Sequence, residues 1–157
     1  MGMRVGLGVD AHRLEPGVPL VLGLVAVEHP TGLAGHSDGD VVAHAVCDAL
    51  LAAAGGPDIG VLFPSGADEW RGVTGAAMIA HVLEWMAGEG AEPVNVHAVI
   101  VCESPRIGPH RAAMQEALTR AVGAPVSVHA TTTDQMGFTG RGEGISCQAV
   151  ALVEVSG

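Results

Sequence analysis

Apolar positions along this chain fall into two periods, about two and about 3.6 residues, and the switches between them lay out its elements. Met3 to Val9 alternates weakly and carries Val and Gly, which predicts a strand ending at Asp10. After a turn with Pro16, Gly17 and Pro19, Leu20 to Val27 predicts a short extended pair. Ser37, with Asp40 three residues on, forms a capping-box-like start for a helix from about Gly39 to Ala54, closed by Gly55-Gly56-Pro57. Pro57 to Asp68 reads as a loop. Ile79, Val82, Leu83 and Met86 stand at helical spacing and predict a second helix, Val73 to Ala87. Val94 to Cys102 is β-branched at nearly every other place and predicts a strand, and Pro109 opens a third helix that runs to Val122 before Gly123. Val126 to Thr132 and Ile145 to Val155 predict two further strands, joined by a polar, Gly-rich loop from Thr133 to Gly144. Strands interleaved with three helices imply an α/β (α+β) layer structure, a mixed β-sheet in one domain over residues 1–157.

The first helix changes this picture from fold to chemistry. Asp40, His44 and Asp48 recur every four residues and share one face, while Val41, Val42, Ala45, Val46, Ala49 and Leu50 take the others. A stripe of ionisable groups at the edge of an apolar surface must find partners.

Composition narrows what those partners are. The 157 residues are 48% hydrophobic but only 3% aromatic, so the core is built from many small side chains, and a chain this apolar is expected to bury surface against other copies of itself. A net charge of −10 with seven Lys and Arg argues against nucleic acid, which requires a cationic patch. An anionic ligand would therefore be met by metal ions or backbone N–H groups. Cys47, Cys102 and Cys147 lie far apart in apolar runs and read as reduced core residues, which points to a cytoplasmic protein. Nothing at the N-terminus resembles a signal peptide, and Val41 to Ala54, broken by His44 and Asp48, is too short and polar to span a membrane.

Three places carry candidate chemistry. Asp10 and His12, two apart at a strand end, point to the same side, and with His44 they would offer the mixed O and N ligands of a four-coordinate zinc with one open position. Asp40, one turn before His44, could orient that imidazole; the alternative is that Asp10 caps a turn and His44 is a half-buried core histidine. Ser37 would cap the first helix and leave other N–H groups for an anion, with His36 beside it. The loop from Ala130 combines Thr131, Thr132, Thr133, Asp134, several glycines and Arg141, a composition suited to phosphate oxygens, with Asp134 able to hold a magnesium; Arg141 and Glu143 could equally form an ion pair.

Taken in order, these segments resemble the 2-C-methyl-D-erythritol 2,4-cyclodiphosphate synthase family of the isoprenoid pathway. The matching residues are Gly8-Val-Asp10-Ala-His12-Arg-Leu, His36-Ser-Asp-Gly-Asp-Val with His44 and Asp48, Asp58-Ile-Gly60, Phe63-Pro64, Pro105, Ala130-Thr-Thr-Thr and Gly137-Phe-Thr-Gly-Arg-Gly-Glu-Gly-Ile145. The resemblance implies a homotrimer with three helices on one face of each sheet, the sheets arranged around a central axis, and active sites between neighbouring subunits. It implies zinc on Asp10, His12 and His44, a second metal (magnesium or manganese) on Asp134, and a CDP-linked methylerythritol phosphate as substrate. His36 and Thr132 would be catalytic. Substrate would also meet Asp10, His12, Ser37, Asp58, Ile59, Gly60, Phe63, Pro105, Arg106, Thr131, Thr133, Asp134, Phe138 and Arg141, with Cys102 to Gly108 around the cytosine. Phe138 and Arg141 match residues of an axial cavity that can hold an isoprenoid diphosphate.

The chain departs from the pattern in places. Asp134-Gln135 stand where Glu-Lys is usual, so a carboxylate one methylene shorter is expected to reach the second metal through water. Phe63-Pro-Ser-Gly-Ala-Asp68 replaces Phe-Pro-Asp-x-Asp, Arg106 replaces Lys, and Val73-Thr74 replaces Asp-Ser, weakening any cap at that helix start. A zinc hydrolase using Asp40 or Asp48 as base, and a non-catalytic diphosphate sensor, are the competing readings.

Overall fold

A computed structural model describes residues 1–157. Its seven strands are β1 (Gly2–Pro16), β2 (Leu20–Leu22), β3 (Val25–Val27), β4 (Thr31–Leu33), β5 (Ala91–Val101), β6 (Val126–Thr131) and β7 (Gly144–Val155). The helices are α1 (Val41–Ala54), α2 (Ile59–Leu62), α3 (Gly75–Gly88), α4 (Arg111–Val122) and α5 (Gly137–Gly140). Five strands form a mixed sheet in the order β4-β1-β7-β5-β6, antiparallel except for the parallel β5–β6 pair bridged by α4, while β2 and β3 form a separate hairpin.

The three long helices α1, α3 and α4 stack on one face of this sheet, as expected, around one cluster of 37 buried apolar residues. Small side chains make that packing close. A Cβ on Gly8 would stand 2.0 Å from the carbonyl oxygen of Ala45, and one on Gly6 would stand 2.1 Å from that of Ala49. Only glycine lets α1 lie directly against β1, and this contact carries His44 to the strand that bears Asp10 and His12. The opposite face of β1 stays bare: Met3, Val5, Leu7 and Val9 alternate outward, and Val150 of β7, also exposed, pairs with Leu7.

Several boundaries differ from the sequence expectation. The first strand does not end at Asp10, because Asp10 to Arg13 keep pairing with Cys147 to Gly144 of β7; a polar side chain does not stop a ladder made by the backbone. The loops at Pro57–Asp68 and Thr133–Gly144 each contain a single helical turn, α2 and α5. Thr74 does cap α3, its hydroxyl accepting from the Ala77 N–H, despite replacing the usual Asp-Ser.

The first helix also differs. Ser37 does not cap it. Asp40 does, accepting from Val42 and Ala43 N–H groups. The same carboxylate accepts from Gly23 and Leu24 at the tip of the β2–β3 hairpin, so it is fully buried among four backbone donors. Leu24 sits at φ 66°, an unfavourable left-handed conformation for leucine, and its N–H is the one Asp40 takes at 2.7 Å. Nor is α1 amphipathic: it is buried on nearly every side, His44 included.

Candidate metal centre and its cleft

Three ligand atoms converge where β1 meets α1. Asp10 Oδ2 lies 2.8 Å from His12 Nε2 and 3.0 Å from His44 Nδ1, and the two nitrogens are 3.0 Å apart. Ligands about 2 Å from a four-coordinate ion stand about 3.3 Å apart, so this triangle matches one face of a metal tetrahedron, slightly contracted.

The outer nitrogens show why the triangle suits a cation. His12 Nδ1 lies 2.9 Å from the carbonyl oxygen of Ala34, which can only accept, so Nδ1 carries the proton and Nε2 turns a lone pair inward. His44 Nε2 lies 2.9 Å from Ser37 Oγ, which also accepts from Gly39 N–H at 3.0 Å. In the tautomer whose Nε2–H donates to Ser37, His44 Nδ1 likewise faces inward unprotonated, and the Ser37 hydroxyl hydrogen is left to point elsewhere. Two lone pairs and a carboxylate oxygen then face one another, a set that a divalent cation satisfies.

Without a cation, electrostatics favour a proton in the same place. Burial works to raise the Asp10 pKa, but hydrogen bonds to His12 and His44 and their nearby charge outweigh it and hold the carboxyl well below the usual range. Its hydrogen bond raises the His12 pKa above 6.5, against the opposing effect of burial.

Asp40 does not orient His44, contrary to the sequence expectation. Its four backbone partners occupy it, burial pushes its pKa up, and Ser37 takes the orienting place instead. Asp48, unassigned from sequence, accepts from Ile59 N–H at 2.9 Å and anchors the start of α2, with burial raising its pKa. Asp40 is thus committed to backbone donors, and neither carboxylate lines the cleft above the triangle, which counts against them as bases of a zinc hydrolase.

Above the triangle opens a cleft of about 330 Å³ lined by Asp10, His12, His36, Ser37, His44, Ile59, Gly60 and Phe63, and by the segment Pro64–Asp68 with Trp70, Arg71, Val73 and Met78. Asp58 borders it indirectly, capping α2 through Val61 N–H. Arg71 is its only fixed cation and is paired with Asp68 at 2.8 Å, both side chains exposed. Trp70 forms an aromatic cluster with Phe63 and His81, its ring centroid 4.8 Å from Phe63 and 4.9 Å from His81. Sequence reasoning passed over Trp70 and Arg71, although a tryptophan in so aromatic-poor a chain was a usable signal. The Ala34 carbonyl left none, since a backbone oxygen carries no residue signature.

The remaining expected residues lie elsewhere. Thr131, Thr132, Thr133, Asp134, Pro105, Arg106, Phe138 and Arg141 do not line this cleft. Thr133 spends its hydroxyl inside the loop, on the Met136 carbonyl and the buried Thr139, whereas Thr132 reaches only Asp134, at 3.5 Å. Arg141 pairs with Glu143 at 2.8 Å, and Phe138 is exposed. Cys47, Cys102 and Cys147 are buried free thiols, with burial pushing the pKa of Cys102 up to about 11 and that of Cys147 up to about 12. No helix is long and apolar enough to cross a membrane.

Comparison with known proteins gives this geometry a context. The YgbB family matches residues 3–154. A 2-C-methyl-D-erythritol 2,4-cyclodiphosphate synthase of Cutibacterium acnes is 50% identical over 152 residues, 96% of this chain and 90% of the relative. A bifunctional enzyme IspD/IspF of Novosphingobium aromaticivorans is 50% identical over 98% of the chain, which spans 40% of that longer protein. A solved 2C-methyl-D-erythritol-2,4-cyclodiphosphate synthase in a CDP-bound form superposes with a TM-score of 0.88 at 34% identity, covering 96% of this chain and all of that one.

Proposed function

The chain belongs to the YgbB family, and from that premise we propose that residues 1–157 form one 2-C-methyl-D-erythritol 2,4-cyclodiphosphate synthase domain, a phosphorus–oxygen lyase. Its substrate is 4-diphosphocytidyl-2-C-methyl-D-erythritol 2-phosphate. An oxygen of the 2-phosphate attacks the β-phosphorus, the new P–O bond closes the cyclodiphosphate, and the bond from the β-phosphorus to the bridging oxygen breaks. CMP leaves with that oxygen and its electron pair. The observation that carries the reading is the inward-facing triangle of Asp10, His12 and His44 at the base of a cleft sized for a small diphosphate.

Asp10, His12 and His44 hold zinc, and Asp134 with the substrate phosphates holds magnesium or manganese. When bound, these cations neutralise charge building on the phosphoryl oxygens. The attacking phosphate is already anionic and requires no base, so the protein's work is placement and hydrogen bonding. Ser37, its oxygen occupied by Gly39 and His44, presents its O–H to a phosphate or substrate hydroxyl. His36 flanks it and, with Thr132, stabilises the transition state. Arg71 exchanges Asp68 for substrate phosphate. Asp58, Ile59 and Gly60 hold the ribose or erythritol side beside Phe63, Thr131 and Thr133 frame the phosphates, and Cys102–Gly108, with Pro105 and Arg106, wraps the cytosine.

The separation of Thr131–Asp134 from the metal cleft, together with the bare apolar face of β1, supports a homotrimer whose sites lie between copies. Phe138 and Arg141 then line an axial cavity suited to an isoprenoid diphosphate. Free buried thiols and the lack of a membrane-spanning helix agree with the cytoplasm.

Incubation of the purified protein with the CDP-linked substrate, zinc and magnesium, followed by phosphorus NMR, tests the reading. CMP and a cyclic diphosphate are expected. Two acyclic products, or unchanged substrate that nonetheless binds, would overturn it in favour of a hydrolase or a sensor.

A further inference from the structure

The segment Cys102–Gly108 runs from β5 to the single turn at Gly108–His110, its ends fixed by the Cys102 N–H on the Thr131 carbonyl and by the buried Cys102 and Ile107 side chains. Two consecutive side chains tie it on either side. Glu103 Oε1 accepts from Gln135 N–H at 2.9 Å, across to the β6–β7 loop. Ser104 Oγ lies 3.0 Å from Nε2 of His29, in the turn between β3 and β4. His29 is itself held: of its contacts with Thr31 the shortest, 2.9 Å, runs from Nδ1 to the carbonyl oxygen, which can only accept. In either tautomer the Ser104 hydroxyl, which can both donate and accept, pairs with Nε2. Neither His29 nor Ser104 lines the metal cleft.

We infer that His29, acting through Ser104, is a positioning residue for the nucleoside end of the substrate. The inference rests on the function proposed above, in which this segment wraps the cytosine. Backbone groups that read a base cannot change rotamer to follow it, so their affinity depends on where the segment stands. Glu103 ties one flank to the loop that bears Asp134, and the Ser104–His29 hydrogen bond ties the other to the turn that leads into β4. With the second tie cut, the middle of the segment, between the buried Cys102 and Ile107, keeps only the Glu103 tie to a neighbouring element and samples positions in which the base is unmet.

Calorimetric titration of CMP into the metal-loaded full chain, alongside steady-state kinetics, tests this. His29→Ala and Ser104→Ala should each weaken CMP binding about three- to tenfold, the range expected for one hydrogen bond, and raise KM by a similar factor with kcat held. The double variant should be no weaker than either single one, and Ser104→Thr, which keeps the hydroxyl, should restore affinity. Wild-type CMP affinity in all variants, additive losses, or a lowered Tm with unchanged affinity would each overturn the inference while leaving the proposed function standing. A wild-type chain that holds metal but binds no CMP would overturn the function, and this inference with it.

Discussion

The corner where β1 meets α1 and the loop between β6 and β7 both drew attention as sites of chemistry, yet the fold treats them differently. In the corner each ligand is held from behind: His12 by the Ala34 carbonyl, His44 by Ser37, and Asp10 by the Ala11 N–H, which donates to its outer oxygen. His44 is buried and α1 is pressed onto glycines of β1, so the ligands have little freedom to rearrange. The loop is mostly exposed, satisfies Thr133 and Arg141 internally, and leaves Thr132 and Asp134 with one long contact between their side chains. It carries its strain openly, with Asp134 at φ 51° and Gln135 at φ 66°. A region complete within one chain can be preorganised by folding alone. One that lacks its counterpart must wait for substrate, metal or a second copy.

Mixing two inactive variants gives the sharpest test of this contrast. His44→Ala should stay folded, lose its bound metal on elemental analysis and lose at least about a thousandfold in turnover, since both charge stabilisation and placement depend on that ion. Thr132→Ala should keep the metal and lose turnover. If sites are shared between copies, subunit exchange between the two should restore about a quarter of wild-type activity, the random fraction of sites with both intact halves. No recovery after proven exchange would place both halves in one chain.

Gly8→Ala probes the corner's rigidity. The added methyl would meet the Ala45 carbonyl, so α1 must shift, with an expected loss of about 2–3 kcal/mol in denaturant unfolding and a weakened metal site. Stability and metal affinity equal to wild type would show that α1 does not depend on this contact.

Acid should loosen the corner next. His12 must be neutral to bind metal, and its pKa is raised above 6.5, so proton competition begins at a higher pH than for an ordinary histidine. Without metal the sign reverses: the Asp10–His12 pair stabilises the fold while His12 is charged, a contribution lost as pH rises through its raised pKa. It is also lost in strong acid, as pH falls through the depressed Asp10 pKa. Metal titrations at several pH values, with melting of the stripped protein, should show these opposite slopes. The smallest effect belongs to the loop: Asp134→Glu should raise magnesium affinity about three- to tenfold by reaching the ion directly, and an unchanged titration would remove the argument from side-chain length.

The long elements were legible because each has a sustained period and a clear stop, as with Gly55, which closes α1 in the left-handed conformation. So were Asp10, His12 and His44, whose side chains declare their chemistry. Asp40 was legible as a polar group in need of partners but not as the cap of α1 and the anchor of the β2–β3 hairpin, because Gly23 and Leu24 reach it only in three dimensions. Ser37 was misread as a cap for the same reason: a hydroxyl near a helix start serves the helix or a neighbouring imidazole, and spacing alone cannot tell which.

What the sequence determined by itself was therefore local and chemical: where helices and strands run, which groups can bind a cation, and that the excess acid must meet an anion through metal or backbone. Tertiary structure alone decided which lone pairs face one another, that a backbone carbonyl sets the His12 tautomer, and that the threonine loop lies outside the metal cleft. Periodicity and side-chain type are properties of neighbours along the chain. A polar contact between residues 22 or 34 positions apart, as between His12 and Ala34 or His44 and Asp10, exists only after packing has brought them within 3 Å.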